Sequence, residues 1–177
     1  MGDPIDLGAA LETVVAAIAA EFGTFKAVEA EDEKRKGLPV PAILVQISEL
    51  EPDPDMDPHT GQFPCLVHLE ARIVMGHRTP RVRREVVKAA GALAAFLHNS
   101  RLGVAWGAAK VIAVDPDDFA PLAETFDIWR VEWVHSADIG ESYFVDEGVT
   151  PHQVLASWSP DIGPENEPEY EEIAGDV

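Results

Sequence analysis

The sequence predicts an α+β protein, with a mixed, largely antiparallel β-sheet packed by two amphipathic helices and an extended acidic C-terminal arm. Three observations carry that expectation. Apolar residues recur at helical spacing over Leu7–Phe22 and again over Val82–Leu97. They alternate with polar residues, at strand spacing, over Phe63–Met75 and through the stretch FDIWRVEWVH that opens at Phe126. The composition then changes: residues 138–177 hold eleven Asp and Glu and no Lys or Arg. The predicted division is a core of residues 1–137 and an arm of residues 138–177.

In chain order, Asp3-Pro4 has the chemistry of an N-cap followed by a first-turn proline, and the stripe Leu7, Leu11, Val14, Val15, Ile18 and Phe22 follows, stopped by Gly23. Phe25–Ala30 fits a short strand. The charged EDEKRKG that follows reads as an exposed loop, its Lys34-Arg35-Lys36 triplet solvated rather than bound to nucleic acid. Pro39–Leu50 is apolar on both faces, which suits an interior strand. Glu51–Gln62, with three prolines and a glycine, is a long connection. Its Asp53, Asp55 and Asp57 are spaced like a calcium loop, but interleaved prolines and a misplaced glycine argue against one.

The long strand Phe63–Met75 sends Val67, Leu69, Ala71 and Ile73 to one face and His68, Glu70 and Arg72 to the other. Thr79-Pro80 is the predicted start of the second helix, whose buried stripe is Val82, Val86, Ala90, Leu93 and Leu97, widened by Val87, Ala94 and Phe96. Arg81, Arg83, Arg84 and Lys88 crowd its first half, where cations oppose the helix dipole. Two readings fit them, an acceptor for an acidic partner or a solvated face. After a turn region carrying Trp106, Lys110–Val114 fits a strand. Phe119–Leu122 leads into the last core strand, where Trp129, Val131 and Trp133 share a face. Two indoles there bring much apolar area and two N–H groups that need partners.

The arm is not a plain acidic tail. Tyr143, Phe144, Val154, Leu155, Trp158, Ile162, Tyr170 and Ile173 recur through it, and solvated acidic tails lack such residues. Apolar anchors without a clear period fit either docking onto a neighbouring surface or packing back on the same domain as irregular coil.

Composition bounds the function. With 177 residues and 46% hydrophobic content the chain suits one domain with a real core. A net charge of −19 argues against wrapping duplex DNA, though not against enclosing DNA without gripping it. One cysteine, Cys65, excludes an internal disulfide and reads as a core residue. The sequence shows neither a signal-peptide pattern nor an apolar run of membrane-spanning length, so a soluble protein made in a cytoplasm is expected. The six histidines form no HExxH pair, and neither a nucleophile elbow nor a phosphate loop occurs. No catalytic, cofactor-binding or metal residue is expected, and the chain reads as a non-enzyme.

The strand Asp127-Ile128-Trp129-Arg130-Val131-Glu132-Trp133, then Ile139-Gly140, and the spaced Pro160-Asp161-Ile162-Gly163, Glu167 and Tyr170 resemble tail terminator, or tail completion, proteins of long-tailed bacteriophages and prophages. The residue-level likeness covers Phe126–Ile173. The element order over Leu7–His135 is similar to that of lambda-type terminators, and the acidic arm departs from their compact pattern. The resemblance implies a hexameric ring that caps the tail tube, ends its polymerisation and meets the head-tail connector protein. It implies a place in the virion tail or neck after assembly in the host cytoplasm, with DNA passing through ungripped and no membrane contact. On that reading Tyr143, Phe144, Trp158, Ile162 and Tyr170 are the arm's interface residues, and Arg81, Arg83, Arg84 and Lys88 the acceptor. Another neck or minor tail subunit, or a monomeric acidic binding module, are the alternative readings.

Overall fold

A computed structural model describes residues 4–31, 37–117, 125–144 and 153–175. The chain divides into two compact units, Met1–Phe144 and Val145–Val177. Asp3, the Lys34-Arg35-Lys36 triplet and Phe119–Leu122, all singled out in the sequence, lie outside the described residues.

In the first unit the order is α1 (Leu7–Glu21), β1 (Ala27–Ala30), β2 (Ala42–Pro52), β3 (Phe63–Gly76), α2 (Val82–Leu97), β4 (Lys110–Pro116) and β5 (Phe126–Ile139). The strands form one sheet in the order β1-β2-β3-β5-β4. In this sheet β1 and β2 run parallel and the β2–β3, β3–β5 and β4–β5 pairs antiparallel, so among the described residues the sheet is mixed and largely antiparallel as the sequence predicts. The centre is the β3–β5 pair, in register without a break from Phe63↔Ile139 to Gly76↔Phe126. β5 thus runs two residues past the boundary that composition suggests, and the first unit continues to Phe144.

Strict period-2 register sorts the side chains into two faces. Ile43, Ile73 and Trp129 lie in one cross-strand row, Val45, Ala71 and Val131 in the next, then Ile47, Leu69 and Trp133. These rows meet both helices: Ala10, Val14 and Ile18 from α1, and Val86, Ala90, Leu93 and Leu97 from α2, join them in one core. Phe22 bridges the helices, edge-on to Phe96 at 5.8 Å. The other face carries a smaller apolar cluster at one end, Leu44, Val74 and Ile128. No helix among the described residues is long and apolar enough to cross a membrane.

Both helices begin later than the capping chemistry suggests. The cap of α1 is Asp6, whose carboxylate accepts the Ala9 N–H at 2.9 Å. Thr79 and Pro80 belong to a turn closed by the Thr79 N–H on the Gly76 carbonyl, and α2 starts at Val82 behind Arg81, which takes a left-handed φ of 56°. Leaving a 14-residue strand, the chain needs that turn before the helical stripe faces the core. Val87, expected to widen the buried stripe, is instead exposed. The covered arc of α2 is narrower than the apolar arc in the sequence.

The indole N–H of Trp133 donates to His135 Nε2 at 3.1 Å, and His135 Nδ1 lies 2.7 Å from the Gly107 carbonyl. The ring must donate through Nδ1 and accept through Nε2, which fixes the neutral tautomer. Trp106 stacks on this ring at 4.2 Å and donates its own N–H to the Arg101 carbonyl. Gly107 approaches Ser136 so closely that a Cβ would collide with the serine side chain. Cys65 is buried in the same core, and burial, then the nearby Asp138, pushes its thiol pKa up.

Burial pushes the His135 pKa below its ordinary 6.5, against the opposing pull of the Gly107 carbonyl. A lowered folded pKa means that the contribution of His135 is complete above about 6.5 and declines as pH falls through the folded value, because the unfolded ring takes a proton the folded ring refuses. Urea unfolding of the natural chain and of His135→Gln at pH 8 and pH 5 should show the advantage of the natural chain shrinking on acidification. An advantage that stays constant or grows would contradict the neutral, buried ring.

Candidate assembly surfaces

Three surfaces carry unusual chemistry. The first is the sheet face opposite the helices. The register sets Leu44, Arg72, Arg130 and Asp115 in one row and Gln46, Glu70 and Glu132 in the next. Arg72 reaches three carboxylates: Glu31, Glu70 at 2.6 Å and Asp117 at 2.9 Å. Glu70 is only 6% exposed and also accepts from Gln46. Arg130 bonds Asp115 through two nitrogens at 3.3 Å, and His68 sits between Glu51 at 2.9 Å and Glu132 at 3.5 Å. Burial pulls the Arg72 pKa down, but Glu70, Glu31 and Asp117 outweigh it and hold the guanidinium charged; for Arg130 the hydrogen bond to Asp115 is the main upward cause. Five carboxylates, Glu31, Glu70, Asp115, Asp117 and Glu132, surround two guanidiniums, so the cluster is net acidic. In sequence these residues are scattered over several strands and their ends, and the strand pairing brings them together.

The second surface is the outer side of α2. Arg81, Arg83, Arg84 and Lys88 are all exposed. Arg81, Arg83 and Arg84 line a shallow depression with His77 and Thr79, and Asp127 offsets part of their charge, 3.8 Å from Arg83 and 3.5 Å from His77. Further along, Val87 stands 44% exposed, and Gly91, Ala92 and Ala95 continue the outer side. A Cβ placed on Gly91 would meet nothing within 4 Å among the described residues. Gly in an exposed helix interior costs about 1 kcal/mol against Ala, and nothing in the first unit requires it. Gly91 is visible in the sequence as the one glycine of an Ala-rich helix, but its meaning depends on what stands opposite it.

The third surface is the C-terminal unit. Instead of an arm without regular structure, residues 153–175 form a ribbon: β6 (Gln153–Ala156) pairs antiparallel with β7 (Glu171–Gly175), with a 3-10 turn at Pro164–Glu169 between them. Short strands flanked by Pro and Glu leave too little periodicity to be read from sequence. Tyr170 is half-buried. Its hydroxyl accepts the Gly163 N–H at 2.8 Å and faces the Gly163 carbonyl at 3.3 Å, so it closes the ribbon's own loop rather than standing free as an interface anchor. Trp158 is 83% exposed, and Ile162, Val154, Leu155 and Ile173 are exposed with it. None of residues 153–173 is buried within the unit.

Tyr143 and Phe144, expected in the arm, belong to the first unit. The Tyr143 N–H donates to the Thr60 carbonyl at 2.8 Å and its ring lies over Gly61, where no Cβ could fit. Gln62 holds the same exit through the carbonyls of Asp138 and Gly140. The β2–β3 loop therefore clamps the chain where it leaves the core, with Tyr143 and Phe144 still largely exposed.

Among the described residues no group of three or more His, Cys, Asp or Glu could hold a metal ion. A cleft of about 310 Å³ is lined by Asp53, Cys65, Arg101, Trp106, Ser136 and Asp138 among others. No family model matches the chain, and a search of characterised proteins also returns no match.

Removing Arg72 would leave Glu70, 6% exposed, with Gln46 and only the more distant Arg130 at 3.9 Å to offset its charge. Arg72→Met should cost about 2–3 kcal/mol in denaturant unfolding at neutral pH, the partial exposure of Arg72 being allowed for. A loss below about 0.5 kcal/mol would show that the network is a solvated surface.

Proposed function

We propose that this protein is a structural virion assembly component that forms a ring, caps a phage tail tube, ends tail polymerisation and helps join tail to head. The observation that carries self-association is the C-terminal ribbon. A two-stranded ribbon is marginal in water, and this one leaves Trp158, Ile162, Val154, Leu155 and Ile173 uncovered. Exposed apolar side chains in a segment whose Asp and Glu are unmatched by Lys or Arg are the composition of a docking segment, with aromatic and aliphatic anchors and charges that select the partner.

The tail-terminator part of the reading rests on the resemblance of the Trp129–Trp133 strand and of the Pro160–Gly163 segment, together with the order of helices and strands. The acidic sheet face supports the same reading. A wall of carboxylates with its guanidiniums already committed repels phosphate and gives passing duplex DNA nothing to bind.

Light scattering on the full chain tests it. The expected mass is that of six chains, with ring-shaped particles in electron micrographs. Trp158→Asp with Ile162→Asp changes only exposed side chains and should weaken association by about 2 kcal/mol or more, roughly thirtyfold, while the melting temperature of the core is unchanged. A single-chain mass at every concentration would favour a monomeric acidic module and overturn the proposal.

A further inference from the structure

The geometry points to one occupant for the outer face of α2: the C-terminal ribbon, residues 153–175, of a second copy of this chain. This rests on the ring reading above and names the contact that would close the ring. Two independent features of the first unit define the acceptor. Arg81, Arg83, Arg84 and Lys88 supply positive charge on a helix whose one acid is the half-buried Glu85. Val87, Gly91, Ala92 and Ala95 supply a smooth, low strip beside it, open for close approach of another backbone. The ribbon presents the complement: exposed Leu155, Trp158, Ile162 and Ile173 among Glu165, Glu167, Glu169, Glu171 and Glu172, with no cation. The apolar side chains fit the strip and the carboxylates fit the arginines.

The placement of the two ends argues for a second copy. The clamp at Tyr143 lies beyond the Phe63↔Ile139 end of the central strand pair, whereas Arg81, Arg83 and Arg84 follow the Gly76↔Phe126 end. Thirteen residue steps between those ends correspond to roughly 44 Å. The first unit thus has its Tyr143 contact at one end of the central strand pair and its basic residues after the other, which makes that unit polar. Copies joined in that sense make heterologous, head-to-tail contacts, which close into a ring when the rotation allows.

The test uses the full chain and reads mass by light scattering beside thermal unfolding. Gly91→Leu adds a side chain where the monomer has open space, so the melting temperature should hold or rise while ring mass is lost at concentrations where the natural chain is fully assembled. Arg83→Glu, Arg84→Glu and Lys88→Glu together should also abolish the ring. Adding Glu165→Lys, Glu167→Lys and Glu169→Lys to that triple variant should restore it. If the natural chain forms rings and both α2 variants still form them at the same concentration, this contact is wrong and the ring reading stands. If the natural chain is a single-chain particle throughout, the ring reading fails and this inference with it.

Discussion

Fourteen unbroken residue pairs between β3 and β5 decide what every other part of the first unit can do. The register has no bulge, so each side chain is committed to one face for the whole length of the pair. One face becomes the apolar bed for both helices, and Trp133, Leu69 and Val131 vanish beneath them. The other must place Glu70, Arg72, Arg130 and Glu132 side by side, and they persist there because each guanidinium is shared among carboxylates. A one-residue slip would put the charges in the core and the indoles in water. The same pair sets the distance and direction between the basic start of α2 and the clamped exit at Tyr143.

The two units solve the burial problem differently. The first covers its apolar face with its own helices and leaves only scattered apolar side chains outside. The described residues of the second form a ribbon with one 3-10 turn, in which the largest side chain, Trp158, is 83% exposed. Local hydrogen bonds, such as the Tyr170–Gly163 clasp and the Gln153–Glu172 pair at 2.7 Å, hold its shape without burying its apolar area. On the proposed reading, that leaves the hydrophobic contribution of these side chains for the contact between copies.

The parts legible in sequence are those whose signal is periodic. Val14 and Ile18 on α1, Val86, Ala90, Leu93 and Leu97 on α2, and the alternation through β3 and β5 all stand where their spacing puts them. The strand and helix order follows from them. The helix starts were displaced because Thr79-Pro80 has the chemistry of a cap and of a turn alike, and only the direction of the preceding strand chooses between them. The Glu70–Arg72–Arg130 lattice was invisible because its members come from strands paired across dozens of residues. Gly91 and Gly61 were open to notice, but their meaning depends on what does or does not stand opposite them. The ribbon was missed because four- and five-residue strands among Glu and Pro carry no usable period.

The central physical claim is that the ribbon's apolar side becomes covered only when copies meet. Hydrogen exchange of the amides in Gln153–Ala156 and Glu171–Gly175, followed over a dilution series, addresses it directly. The account predicts slow exchange in concentrated solution and fast exchange once the particles dissociate, with the β3–β5 amides protected throughout. Equal exchange of the ribbon amides at every concentration, whether uniformly fast or uniformly slow, would contradict it.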